Sequence, residues 1–188
     1  MTRADAVERV AALLPRDALV VACNGMIGRE LYTRADAATR FYMIGSMGLA
    51  SSIGLGLALV QRARPVAVFD GDGNVLMNLG TLASVAAAGP ANFHHVVFDN
   101  RAHGSTGNQR TISDRVALEE VARAAGYRRC LRVEGERGRD GTLGAWFGEP
   151  GPSMLLVTVD PGNAPGIGRV DLSPPEITSR FRAACIRS

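Results

Sequence analysis

The chain has 188 residues, 46% hydrophobic and 21% charged, the balance of a folded globule and not of a disordered or fibrous chain. Its 21 basic residues are all arginine, which excludes a catalytic or phosphate-binding lysine, and the net charge is only +3. The arginines are scattered and aromatics make up 5%, unlike the basic stripe and stacking platforms of a nucleic-acid binder. In chain order, Ala4 to Leu14 has helical spacing and stops at Pro15, and Leu19 to Cys23 reads as a buried strand. A short helix over Arg29 to Arg34 precedes an extended Phe41 to Ile44. The small-residue stretch from Gly48 to Arg62 reads as a buried helix. Pro65 to Phe69 is a strand, Val75 to Ala88 a helix, and His95 to Phe98 a strand, with His94 and His95 structural at its start. A polar loop follows to Ser113. Asp114 is placed to cap a helix to Ala125 that Gly126 ends. Arg128 to Val133, a Gly-rich linker, a short helix near Trp146 and a strand from Met154 to Val159 follow. A Pro- and Gly-rich tail from about Pro161 ends in a helix, Pro174 to Ala184, with Ser173 as its cap.

Strands that are continuously apolar and alternate with helices predict an α/β fold, a parallel β-sheet with helices on both faces in one domain spanning 1–188. The uncharged run Phe41 to Gln61 approaches the roughly 20 residues that span a bilayer. Its glycines and serines dilute it, and the charged start of the chain lacks the pattern of a signal peptide. No membrane association is expected. Cys23, Cys130 and Cys185, odd in number and far apart, suit free thiols in a reducing cytoplasm.

Gly71-Asp72-Gly73 leaves the carboxyl end of one strand and enters a helix. Asp-Gly there suits a tight hairpin turn, or a backbone that receives a phosphate or metal. Asp99-Asn100 ends the next strand on the same sheet edge. It suits the start of a turn, or a carboxylate and an amide oxygen converging on a hard cation such as Mg2+.

With Gly71-Asp72-Gly73, then 26 residues, then Asn100, the sequence resembles the diphosphate-binding motif of thiamine-diphosphate enzymes. The resemblance implies that Gly71, Asp72, Gly73 and Asn74 receive the cofactor, and that Asp72, Asn100 and the Ala102 main-chain carbonyl hold Mg2+. Asp99 stands where the family more often has a second asparagine. Gly45-Ser46-Met47-Gly48 is also similar to a family segment. There the Gly45 carbonyl would accept from the cofactor's 4′-amino group, and Met47 would wedge the cofactor into its bent shape. Met47 also suits plain core filling. His103, three residues after Asn100, suits a proton relay as well as an ordinary hydrogen-bonding loop residue.

Further segments, from Arg29-Glu30-Leu31-Tyr32 to Gly104-Ser105-Thr106-Gly107-Asn108-Gln109, look most like the sulfopyruvate and phosphonopyruvate decarboxylases, and above all the beta subunit of the former. That subgroup implies a cofactor-binding subunit of a 2-oxoacid decarboxylase, with thiamine diphosphate and Mg2+ as cofactors and a small acidic 2-oxoacid as substrate. Arg29 and Arg110 are the candidate anion partners. Asn24-Gly25-Met26-Ile27-Gly28 departs from the subgroup, which leaves the substrate open. In the family the glutamate on the aminopyrimidine N1′ comes from a pyrimidine-binding domain. The resemblance therefore implies a heteromer with that subunit as partner. A carboligase or acyl-transfer subunit, or a non-catalytic partner retaining the fold, remains the alternative. An iron–sulfur oxidoreductase subunit lacks the cysteine groups it would need.

Overall fold

The computed structural model describes residues 1–134 and 141–186. The Gly-rich linker expected after Val133 lies largely outside them. The helices are α1 (Arg3–Leu13), α2 (Met26–Ala35), α3 (Ala50–Val60), α4 (Asp72–Met77), α5 (Gly80–Ala88), α6 (Leu118–Ala125), α7 (Gly141–Trp146) and α8 (Pro174–Ile186). The strands are β1 (Leu19–Ala22), β2 (Arg40–Tyr42), β3 (Val66–Gly71), β4 (Phe93–Asp99), β5 (Ala102–His103), β6 (Gln109–Arg110), β7 (Arg129–Glu134) and β8 (Ser153–Thr158).

Six strands form one parallel sheet in the order β2-β1-β3-β4-β8-β7. Every residue of β1, β3 and β4 is buried, which accounts for the apolar runs Leu19–Ala22, Val66–Phe69 and Val96–Phe98. The helices divide into two layers: α2 and α7 pack with α1, and α3 and α6 with α5. The expected α/β architecture is therefore the observed one. On α3, Ala50, Gly54 and Ala58 form a small-residue stripe against the sheet. A Cβ on Gly54 would lie 2.2 Å from Val68 Cγ2, so this helix packs at a distance only glycine permits. The uncharged run is thus spent on the end of β2, a loop and a short helix buried on one side only, with Ser52, Ile53, Gly56, Leu59 and Val60 exposed, where a wholly buried helix was expected. No helix among the described residues is long and apolar enough to cross a membrane.

The buried strand histidines have partners on neighbouring strands. His95 Nε2 lies 3.1 Å from Asp70 Oδ2, and His94 Nδ1 lies 3.0 Å from Ser153 Oγ.

Several local expectations are corrected. The helix expected over Val75 to Ala88 is two helices broken at Asn78, which takes φ −145° and turns its side chain to the Gly48 carbonyl at 3.1 Å. The short helix at Arg29 begins earlier, at Met26. Asp114 does not cap α6, whose N-cap is Ala117; the carboxylate instead pairs with Arg110 at 2.6 Å. Part of the polar loop pairs as the antiparallel β5–β6 hairpin. Ser173 does hold the N-cap position of α8 as expected: its carbonyl accepts from the Ile177 N–H at 3.0 Å, and its backbone N–H and hydroxyl both donate to Glu176, at 2.8 and 2.5 Å.

Candidate active site

Between β1 and β3 the chain reverses its direction across the sheet, since β2 lies on one side of β1 and all later strands on the other. Such a switch point opens a crevice at the carboxyl ends of the strands, where α/β sheets bind ligands. A cavity of about 50 Å³ occupies it, lined by the loop after β1 (Asn24, Gly25), the start of α4 (Asp72, Gly73, Asn74), Asn100, Ala102, His103, Met47 and Arg3.

Register fixes the two candidate ligand side chains. Gly71 is paired with Phe98, so Asp72 and Asn100 leave adjacent strand ends near the same level. Asp72 is 2% exposed and accepts a short hydrogen bond from the Thr111 hydroxyl. Burial raises its pKa and Asp99 adds to the rise, while the Thr111 bond opposes them. A buried carboxylate disfavoured in its charged form is a place where a cation offsets the penalty. The Asn100 Oδ1 accepts from the Ala102 N–H at 3.3 Å and lies 2.8 Å from the Ala102 carbonyl oxygen, two acceptors that a cation between them would satisfy; turned over, the amide would instead donate to that carbonyl and accept from Arg3 Nη1, each at 2.8 Å. The Asn100 and Ala102 groups therefore converge within one hydrogen-bond length. One carboxylate, one amide oxygen and one carbonyl are hard donors that fit Mg2+, which keeps its remaining positions for phosphate and water. No group of three or more His, Cys, Asp or Glu that could hold a metal occurs among the described residues, so a site of the carboxylate-cage kind is not offered there.

Above this set, the His103 ring stands against Gly73. A Cβ on Gly73 would come within 2.6 Å of His103 Cε1, and 3.4 Å from Met47 Cε. Histidine, methionine and glycine therefore meet at one point. Gly45 and Ser46 do not line this cavity. They border an adjacent, mostly apolar groove of about 260 Å³ with Ile44, Leu49, Ile53 and Ile177. The two depressions, one polar and one apolar, meet at Ser46–Met47. Asn74 and Asn78 clamp the loop between them: Gly48 N–H donates to Asn74 Oδ1 at 2.9 Å, and Asn78 Nδ2 donates to the Gly48 carbonyl at 3.1 Å.

Neither expected anion partner lines the cavity. Arg110 is exposed and paired with Asp114, and Arg29 reaches toward Met26 Sδ at 4.0 Å. The cation there is Arg3, 4% exposed and forked onto the buried Glu30. Sequence reading also missed Thr111 and Ser113, which link Asp72 to Asp99: the two hydroxyls are 3.0 Å apart, and Ser113 donates to Asp99 Oδ1 at 2.8 Å. The available signal was the need of two acidic groups at buried strand ends for donors of their own.

The sequence profile described as "Thiamine pyrophosphate enzyme, C-terminal TPP binding domain" matches residues 21–157. The phosphonopyruvate decarboxylase of Streptomyces viridochromogenes is 47% identical over 182 residues, which are 97% of this chain and 46% of that enzyme. The sulfopyruvate decarboxylase subunit beta of Methanothermobacter thermautotrophicus is 43% identical over 181 residues, 96% of this chain and 94% of the subunit. Among solved structures, the benzoylformate decarboxylase of Polynucleobacter necessarius superposes with a TM-score of 0.64 at 19% identity, over 85% of this chain and 33% of that one, a likeness of fold alone. The chain belongs to the thiamine pyrophosphate enzyme family, whose C-terminal TPP-binding domain it carries. It spans about half the length of the phosphonopyruvate decarboxylases it matches and nearly all of the sulfopyruvate decarboxylase beta subunit.

Proposed function

We propose that the chain is one domain that holds Mg2+ and thiamine diphosphate for the decarboxylation of a small, acidic 2-oxoacid, with a partner polypeptide completing the site. The observation that carries the reading is the pairing of Asp72 and Asn100 on adjacent strand ends around a cavity that Met47, Gly73 and His103 also border. In this reading Asp72, the Asn100 amide oxygen and the Ala102 carbonyl hold the cation, and Gly71, Gly73 and Asn74 receive the diphosphate. The Gly45 carbonyl accepts from the aminopyrimidine, Ser46 borders it, and Met47 supports the bend between the two ends. When bound, thiamine diphosphate supplies the electron sink that loss of a 2-oxoacid's carboxylate requires.

The rest of the work falls to this chain and its partner. Among the described residues no carboxylate lines the apolar groove, and this reading assigns the glutamate that activates the aminopyrimidine to the partner. His103, against Gly73, is the chain's one imidazole at the cavity and a candidate proton carrier there. The exposed Ile44, Leu49, Ile53 and Val60 offer an apolar face beside the groove that a partner could cover, excluding water from the reacting carbon. The beta-subunit relative, nearly all of whose length the chain covers, supports a heteromer. The phosphonopyruvate and sulfopyruvate relatives support a substrate with a second acidic group.

The test is reconstitution. Mixed with a pyrimidine-binding partner, the chain is expected to form a stable heteromer and to release CO2 from sulfopyruvate or phosphonopyruvate only with thiamine diphosphate and Mg2+. Full turnover by the 188-residue chain alone would sink the shared-site reading.

A further inference from the structure

Thr111 follows the β5–β6 hairpin, one residue past Arg110, which pairs with Ala102. It is 6% exposed and bonds to both strand ends of the candidate cation site. Its hydroxyl donates to Asp72 Oδ2, at the start of α4. Its backbone N–H donates to the Arg101 carbonyl at 3.1 Å, in the turn between Asn100 and Ala102. Arg101 takes φ 58°, a left-handed conformation uncommon for any residue but glycine. The Arg101 N–H donates to Asp99 Oδ1 at 3.1 Å, and the same oxygen accepts from the Ser113 hydroxyl at 2.8 Å. Ser113, itself 4% exposed, donates its backbone N–H to Thr111 Oγ1 at 3.4 Å. A closed ring of bonds therefore joins residues 99–101 to 111–113, and the Thr111 hydroxyl carries it across to Asp72.

We infer that Thr111 is a positioning residue that fixes Asp72 against the Asn100–Ala102 turn and leaves one Asp72 oxygen for the cation. The inference rests on the reading of Asp72 as a cation ligand. Asp72 and the turn lie past the last paired positions of their strands, Gly71 and Phe98, so no ladder bond sets their separation. Thr111 sets it, holding one with its side chain and the other with its backbone. Mg2+ demands near-ideal octahedral geometry, so the spacing of its few protein ligands matters. A free carboxylate can also turn about its last torsion and offer either oxygen, or both. A donor on Oδ2 stops that turn. The Thr111 hydroxyl has one proton, and an ionised carboxylate can only accept. The proton therefore goes to Asp72 and not to the Ser113 hydroxyl 3.0 Å away, whose own proton is spent on Asp99. Serine can do the work of Thr111, since it keeps the hydroxyl. Valine cannot, although it fills the same space.

The test uses the full chain with Mn2+ as the cation probe, read by electron paramagnetic resonance in the presence of thiamine diphosphate. Variants are Thr111→Val, Thr111→Ser, and Asp72→Ala as reference. Thr111→Val is expected to lose about tenfold or more in Mn2+ affinity, the size of effect usual for groups behind a metal ligand. Thr111→Ser is expected to stay close to wild type. Because valine leaves a buried carboxylate without its donor, the melting temperature is also measured with and without Mn2+ and thiamine diphosphate. A ligand raises it according to its affinity for the folded chain. The rise is expected to shrink in Thr111→Val and to persist in Thr111→Ser. The valine comparison is repeated in an Asp99→Asn background, which removes the like charge beside Asp72 and so favours folding, and the same loss is expected there. Wild-type Mn2+ affinity and an undiminished melting shift in Thr111→Val, with loss in Asp72→Ala, overturn the inference and spare the ligand reading. Equal losses in Thr111→Val and Thr111→Ser also overturn it, because the hydroxyl would not then be the group that matters. Wild-type affinity in Asp72→Ala, or no Mn2+ binding by the wild type, overturns the ligand reading and the inference with it.

Discussion

Gly73 carries two demands at once, an open approach for a ligand and a seat for the His103 ring. With a Cβ only 2.6 Å from His103 Cε1, Gly73→Ala must push the imidazole away from the cavity. The expected result is a thiamine-diphosphate affinity lower by about tenfold, measured by calorimetry, with a melting temperature close to wild type because the histidine can swing toward solvent. Asp72→Ala should act more severely on the same measurement, since on the proposed reading it removes the charged cation ligand while relieving a buried carboxylate. Equal affinity in wild type and Asp72→Ala would refute the cation-site reading. Met47→Ala separates binding from chemistry: diphosphate anchoring should persist while kcat of the reconstituted enzyme falls further than cofactor affinity. Unchanged turnover would leave Met47 as packing alone.

At the scale of elements, β4 shows how a buried strand tolerates histidine. Burial pulls His94 down from 6.5 to about 4, with Arg129 adding to the shift. The unfolded chain therefore takes up this proton at a pH where the folded chain refuses it. His94 contributes stability that is present above pH 6.5 and lost as the pH falls toward 4, about 3 kcal/mol in all. Urea midpoints measured across that window should fall steeply in wild type and less steeply in His94→Gln. A slope unaltered by the substitution would mean that other groups carry the acid sensitivity. The α3 contact makes a different demand: Gly54→Ala places a carbon 2.2 Å from Val68 Cγ2, and overpacking of this kind costs about 1–3 kcal/mol. A chemical-denaturation midpoint equal to wild type would show that the helix can retreat from the sheet. Asp72 and Asn100 were legible in the sequence because apolar runs mark strand ends, and parallel strands put those ends on one edge. The break at Asn78 was not, since it depends on a side-chain bond to Gly48, thirty residues away in sequence. Arg3 was illegible for the same reason. Nothing next to it marks a buried ion pair with Glu30, and only the packing of α1 on α2 brings the two together.

Across the whole molecule, the Pro- and Gly-rich tail is tied down at both ends. Asn163 bonds to Arg3 and the Gly104 carbonyl, and α8 docks beside β2 through Ile177, the Phe41–Phe181 ring pair and the Arg180–Asp36 ion pair. Burial works against the Asp36 charge, but the bonds from Arg180 and Tyr42 outweigh it and hold its pKa below 3.8. The contribution of this pair is therefore present above pH 3.8 and is lost as the pH falls through the lowered value. At neutral pH, Arg180→Ala should raise hydrogen exchange in α8 while leaving β3 and β4 protected; unchanged exchange would show that apolar contacts alone seat the helix. The clamp that Asn74 and Asn78 place on Gly48 has a consequence for anyone wishing to transplant substrate or cofactor preference between relatives. The loop at 45–48 and the helix at 72–78 are not interchangeable parts but one cassette. A chimaera that imports the first without the two asparagines of the second would receive the right letters on an unsupported hinge.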